Sequence, residues 1–167
     1  MNKRDLKQNT VRLPVYLYGH PVLRKKAEPA DPNDPALKEL IKNMFETMYD
    51  SDGVGLAAPQ VGILKRIVVI DTTGDDPIVL INPKVLETSG EQTGYEGCLS
   101  EPGKTGQVTR ANYVKALAYD ENLEPFEIEG TELLARAILH EVDHLEGHLY
   151  VEKVEGPLQD VEDAEEE

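Results

Sequence analysis

A single cysteine, Cys98, stands among 167 residues, which excludes an intramolecular disulfide and leaves one thiol that is either a small buried hydrophobe or a chemical group. Basic side chains are scarce. There are 17 lysines and arginines against 32 aspartates and glutamates, a net charge of -15, so a large fixed affinity for phosphate backbones or anionic lipid is not expected. Neither direct nucleic-acid binding nor a membrane partner fits that balance. The polar stretch from Asn2 to Thr10 lacks the apolar core of a secretory signal, and no later apolar run approaches the length of a membrane span. The expected location is the cytoplasm.

What is present suits one globular domain, with 40% hydrophobic residues for a single core. Residues 1–155 are expected to form it, as a single catalytic domain. Residues 156–167, ending Asp-Val-Glu-Asp-Ala-Glu-Glu-Glu, have too little apolar content to fold and are expected to be a solvated, disordered acidic tail. Asn33-Asp34-Pro35 reads as a helix start, and Leu37, Leu40, Ile41, Met44, Phe45 and Met48 recur at three- and four-residue steps up to about Asp50. The run from Gly53 to Gly62 is too glycine-rich for a helix and too apolar for a solvated loop, as though something approaches its backbone.

Arg66 to Asp71 and Ile78 to Leu86 carry β-branched runs, and Tyr113 to Tyr119 faces Pro125 to Glu129 across an Asp-Glu-Asn turn. These predict short, mainly antiparallel strands. A last helix is predicted from Thr131, a capping residue, to Gly147, a terminating glycine. On a helical wheel Leu133, Ala137 and His144 fall within about 60° of His140, and only Glu132, Arg136, Asp143 and Glu146 form a polar strip. The fold class is therefore α+β, with antiparallel sheets around a buried helix.

That helix carries His140-Glu141-Val142-Asp143-His144, the H-E-x-x-H pattern, in which two histidines one turn apart share a metal and the glutamate reaches a water bound to it. A hydrolytic site needs a third protein ligand and an open position. The extended zinc-protease motif would place a histidine where Tyr150 stands, and His148 follows the helix-ending glycine, about 80° around the wheel from His140, which reads better as a surface or supporting residue. Cys98, within Glu96-Gly97-Cys98-Leu99-Ser100, remains. A thiolate with two imidazoles is a known catalytic ligand set.

Three separated segments coincide with one family. Gly53 to Gln60 (G-x-G-x-A-A-x-Q), Glu96 to Ser100 (E-G-C-L-S) and His140 to His144 (H-E-x-x-H) occur in the order and spacing of the peptide deformylases, which the sequence resembles over its central two thirds. Tyr18 to Arg24 looks like the family's opening element. The resemblance implies the deformylase fold, hydrolytic removal of the formyl group from the initiator N-formylmethionine of nascent polypeptides, and release of formate. It also implies one divalent ion, natively Fe2+ with Zn2+ as a substitute, on Cys98, His140 and His144, with Glu141 as general base and then acid.

Oxyanion donors are implied at the Gln60 side-chain amide and the Leu99 backbone N–H. Gly53, Val54, Gly55, Glu96, Gly97, Leu133 and Ala137 are expected to bind substrate, the apolar ones around the methionine side chain and the glycines where an extended peptide pairs as an added strand. Arg110 is expected to pair with Asp143 and hold the metal helix. Glu101 and Lys104 make the rim more charged than the family pattern, and Arg136 stands where an apolar residue is common. The acidic tail predicts only weak, transient ribosome contact, and the chain is expected to be a monomer. The competing readings are a general metallopeptidase and a noncatalytic protein with a structural metal.

Overall fold

The computed structural model describes residues 11–161. The sequence from Asn2 to Thr10 and the last six residues, Glu162 to Glu167, lie outside the described residues. Two α-helices, α1 (Leu37–Asp50) and α2 (Glu132–Leu145), pack on eight strands. Those strands are β1 (Gly55–Ala57), β2 (Ile67–Ile70), β3 (Ile78–Ser89), β4 (Gln92–Cys98), β5 (Glu101–Arg110), β6 (Tyr113–Tyr119), β7 (Pro125–Thr131) and β8 (Val154–Asp160). They form a five-stranded sheet in the order β1-β2-β3-β6-β7 and a three-stranded sheet in the order β4-β5-β8, with antiparallel pairing throughout. The α+β class is as expected.

The five-stranded sheet follows from its alternation. Ile67 and Val69 of β2 pack with Ile41, Met44, Phe45 and Met48 of α1, while Val68 and Ile70 face Ala135, Ile138 and Leu145 of α2. Successive side chains point to opposite faces, so one β-branched run serves both cores. Burying a side chain of this size contributes about 1.5–3 kcal/mol, and all four β2 residues are buried. α1 begins where Asp34 Oδ1 accepts the Ala36 N–H at 2.9 Å. Thr131 stands at the cap position of α2 but makes no side-chain capping bond. Gly147, at φ 79°, does end that helix as expected, and a Cβ there would meet the Arg24 carbonyl oxygen at 2.6 Å.

The smaller sheet was not expected from the sequence. Its strands are polar, and β5 and β8 contain Pro102 and Pro157. Residues 156–160, assigned above to a disordered tail, form most of β8, in register with β5 through Lys104↔Asp160, Thr105↔Gln159 and Val108↔Val154. The boundary at residue 155 is thus drawn too early, because ladder hydrogen bonds to β5 order a segment whose own apolar content is low.

Candidate metal centre and active site

A helix and the end of an edge strand build the site. The buried face of α2 carries His140, Glu141 and His144, and β4 ends at Cys98, where the chain turns through Leu99 and Ser100 into β5. One ligand atom from each of Cys98, His140 and His144 lies within 4.8 Å of the others, with Cys98 Sγ 3.3 Å from His144 Nε2. Gln60, in the turn after β1, accepts the Ala57 N–H at 3.0 Å through Oε1. Its Nε2 donates to Cys98 Sγ at 3.4 Å and to Ser100 Oγ at 3.1 Å.

Glu96 is the electrostatic hub. Arg110 donates to it through Nε (2.5 Å) and Nη2 (2.9 Å), Arg136 through Nη1 (2.6 Å), and His140 Nδ1 lies 2.8 Å from Oε1. Burial alone would raise the carboxyl's pKa, but hydrogen bonds from His140 and Arg110 outweigh it and hold the pKa at about 2. Arg110 also reaches Asp143 Oδ2 at 2.9 Å, the pairing expected from the sequence, and Lys153 meets the same oxygen at 2.9 Å. With Nδ1 committed to Glu96, His140 keeps Nε2 for a metal, an arrangement that fixes both tautomer and ring direction.

A cleft of about 660 Å3 opens over these groups. Gly53, Val54, Gly55, Glu96, Gly97, Leu133 and Ala137, the residues expected to bind substrate, all line it together with Gln60, Cys98, Leu99, His140 and Glu141. Within that set Glu96 has no oxygen left for a substrate, since both already accept from Arg110, Arg136 or His140. Arg136, read as part of the polar strip of α2, is buried at 7% exposure for the same reason. Its signal was available in part: a buried arginine needs a buried acid, and Glu96 lies in the most distinctive motif of the chain.

The glycine run admits what was suspected. A Cβ on Gly55 would stand 2.6 Å from Glu141 Oε2, so only bare backbone lets that carboxylate settle there. Burial pushes the Glu141 carboxyl up to about 7, with the neighbouring His140 drawing it down and Glu96 adding to the rise. Its Oε1 is buried and has no protein partner among the described residues. His148 lies outside the cluster, exposed, with Nδ1 3.3 Å from Glu152 Oε2. Glu101 and Lys104 do stand at the cleft, Lys104 against Asp160 at 2.5 Å.

One thiol, two imidazoles and an unpartnered buried carboxylate facing a cleft fit a divalent ion of the Fe2+ or Zn2+ kind with an open coordination position, and they define a metal-dependent hydrolase. The chain belongs to the peptide deformylase family. The family model for polypeptide deformylase matches residues 12–159. A peptide deformylase of Agathobacter rectalis is 63% identical over 147 residues, 88% of this chain and 92% of the relative. Among solved structures, a peptide deformylase from Synechococcus elongatus in complex with actinonin superposes with TM-score 0.83 at 45% identity, covering 86% of this chain and 79% of the other. A Met-Ala-Ser-bound class I type b peptide deformylase from Acinetobacter baumannii superposes with TM-score 0.81 at 38% identity, covering 86% and 99%.

The reaction is accordingly hydrolysis of the formyl amide on the initiator methionine of nascent chains. The general metallopeptidase and structural-metal readings give way to it.

Proposed function

We propose that Glu141 moves the protons of deformylation while Cys98, His140 and His144 hold the ion. When bound, a divalent ion supplies Lewis acidity, which makes water nucleophilic near neutral pH and polarises a carbonyl. Glu141, seated against Gly55 with one free oxygen, takes the proton from the attacking water and returns it to the departing amine. Formate and a free amino terminus result. A carboxyl raised by burial suits this exchange better than an ordinary one, because its basicity lies closer to the working pH.

Gln60 Nε2 and the Leu99 N–H are the donors for the developing oxyanion. Gln60 is held for that purpose by Ala57 and Ser100, so its amide loses little freedom when charge develops. Val54, Leu133 and Ala137 form the apolar wall for the methionine side chain, where a thioether is selected by shape and burial. Among the described residues β1 and β4 each have a strand partner on one side only, and the cleft takes Gly55 of β1 with Gly53 and Val54 just before it, and Tyr95 to Cys98 of β4. An extended formyl-methionyl peptide therefore docks between two sheet edges through its main chain, and the Acinetobacter relative is a peptide-bound member of the family, with Met-Ala-Ser.

The native ion is Fe2+, with Zn2+ able to replace it, since the soft thiolate and two imidazoles suit both. The protein works in the cytoplasm as a monomer, and its net charge of -15 supports only weak, salt-sensitive ribosome contact. Firm, salt-resistant cosedimentation with ribosomes would overturn that last point.

The convergence of the three ligand atoms within 4.8 Å beside Glu141 carries this reading. Its test is formate release from a formyl-methionyl tripeptide by protein purified without oxygen and loaded separately with iron or zinc. Glu141→Ala is expected to lose about 10²–10⁴-fold in kcat with metal content retained. A variant that keeps full turnover would remove Glu141 from the mechanism.

A further inference from the structure

Two buried phenols beside the metal cluster have no part in the chemistry above. The Tyr18 and Tyr150 hydroxyls are both buried and without a hydrogen-bond partner among the described residues. Neither tyrosine lines the cleft, so no substrate group satisfies them from that side. A buried hydroxyl without a partner is destabilising, and here two stand at one site.

Backbone pairing fixes where Tyr18 lies. The N–H of Tyr16 donates to the Gln60 carbonyl at 2.7 Å and the N–H of Tyr18 to the Ser100 carbonyl at 2.9 Å. Gln60 and Ser100 are hydrogen bonded to each other, and Gln60 also donates to the sulfur, so this segment is laid along the residues that surround Cys98. The Tyr18 ring is 6.2 Å from that of Tyr150, which in turn lies 5.8 Å from the His140 ring. The Tyr18 hydroxyl lies beside Cys98, within reach of its sulfur but without a hydrogen bond of ordinary geometry to it.

We propose that Tyr18 is a positioning residue of the metal centre, its O–H donating to the Cys98 sulfur when that sulfur is a thiolate ligand, from behind the loop and outside the cleft. The inference rests on the reading of Cys98 as a ligand. A thiolate has acceptor capacity that a thiol lacks, so metal binding supplies the partner that the hydroxyl needs. Gln60 Nε2 would then be released in part for the oxyanion, because Tyr18 takes over a share of the hydrogen bonding to sulfur. Outer hydrogen bonds of this kind orient a ligand and tune its bond to the metal.

The test uses Tyr18→Phe, which keeps the ring and removes only the hydroxyl. In cobalt-loaded protein the thiolate-to-cobalt charge-transfer band is expected to move to lower energy, and metal affinity to fall by about tenfold. Tyr150→Phe serves as the neighbour control and is expected to leave the band in place. An unmoved band with unchanged affinity in Tyr18→Phe overturns the proposal. Wild-type protein that binds cobalt with no such band would instead sink the ligand role of Cys98 itself.

A second measurement needs no substitution: with a magnetic cadmium isotope bound, the Tyr18 hydroxyl proton is expected to exchange slowly and to show coupling to the metal through the sulfur. Lack of that resonance, or of its coupling, counts against the proposal.

Discussion

All four residues of β2 are buried and apolar, whereas β4 buries one residue of its seven, and that residue is the charged Glu96. The larger sheet is held by close-packed side chains on both faces, against α1 and α2. The smaller one is tied to α2 through Glu96, Arg110, Arg136 and Asp143. Packing is tolerant in detail but indifferent to where any single atom goes, while an ionic hub fixes specific atoms at a desolvation cost. A metal site that must bring Cys98 of one sheet to His140 and His144 of a helix gains most from the second kind of bond. The difference is therefore one of division of labour between stability and placement.

Glu96→Ala should expose that division most strongly. Among the described residues it leaves Arg136 with the Val108 carbonyl alone, and it frees the His140 ring, with an expected loss of about 3–5 kcal/mol and of metal, read by urea midpoint and metal content. Ile70→Ala, in the other sheet, should cost about 2–5 kcal/mol while metal per folded molecule stays unchanged. If Ile70→Ala empties the site and Glu96→Ala does not, the comparison is wrong.

A smaller effect is expected at Asp71, just past β2. Burial would raise its pKa, but the Tyr49 hydroxyl and the N–H groups of Asp76, Gly74 and Thr73 outweigh this and lower it. A carboxyl lowered in the folded state contributes stability that is fully present above its unfolded value of about 3.9 and is lost as pH falls through the folded one. Asp71→Asn should then cost about 1–3 kcal/mol at neutral pH, with a deficit that shrinks in acid melting curves. A deficit constant with pH would assign the effect to packing. Least of all, Lys104→Ala should shift the urea midpoint by under about 1 kcal/mol, since its pair with Asp160 is 43% and 61% exposed. A larger loss would mean that surface pairs, too, hold the smaller sheet.

The same contrast decides what could be read in advance. Both helices, and the strands around Ile67–Ile70, Ile78–Ser89 and Tyr113–Tyr119, announce themselves because apolar period and burial coincide there. The run Glu101–Arg110, with Pro102, Gly103 and Gly106, offers no such period, and β8 gains its order from β5 rather than from its own residues. The ligands and Glu141 were legible from spacing and from family resemblance, and the Arg110–Asp143 pair with them. Glu96 as the hub and Arg136 as its buried partner were not, because charge on a helix reads as a solvated face until the acid opposite is located. Tyr18 falls in the family's opening element and Tyr150 where the extended motif would have a histidine, but nothing in the sequence places their hydroxyls beside the metal ligands.

Among the described residues the two sheets have four edges, β1, β7, β4 and β8, and the pair at the cleft, β1 and β4, has a consequence for the protein at high concentration. An exposed edge strand is normally a template for aggregation. Here both of these strands contribute residues to one cleft, so a second folded molecule would have to enter that cleft to extend either of them. A recessed edge of this kind is thus less open to pairing with a second copy of the protein than an edge on the open surface would be.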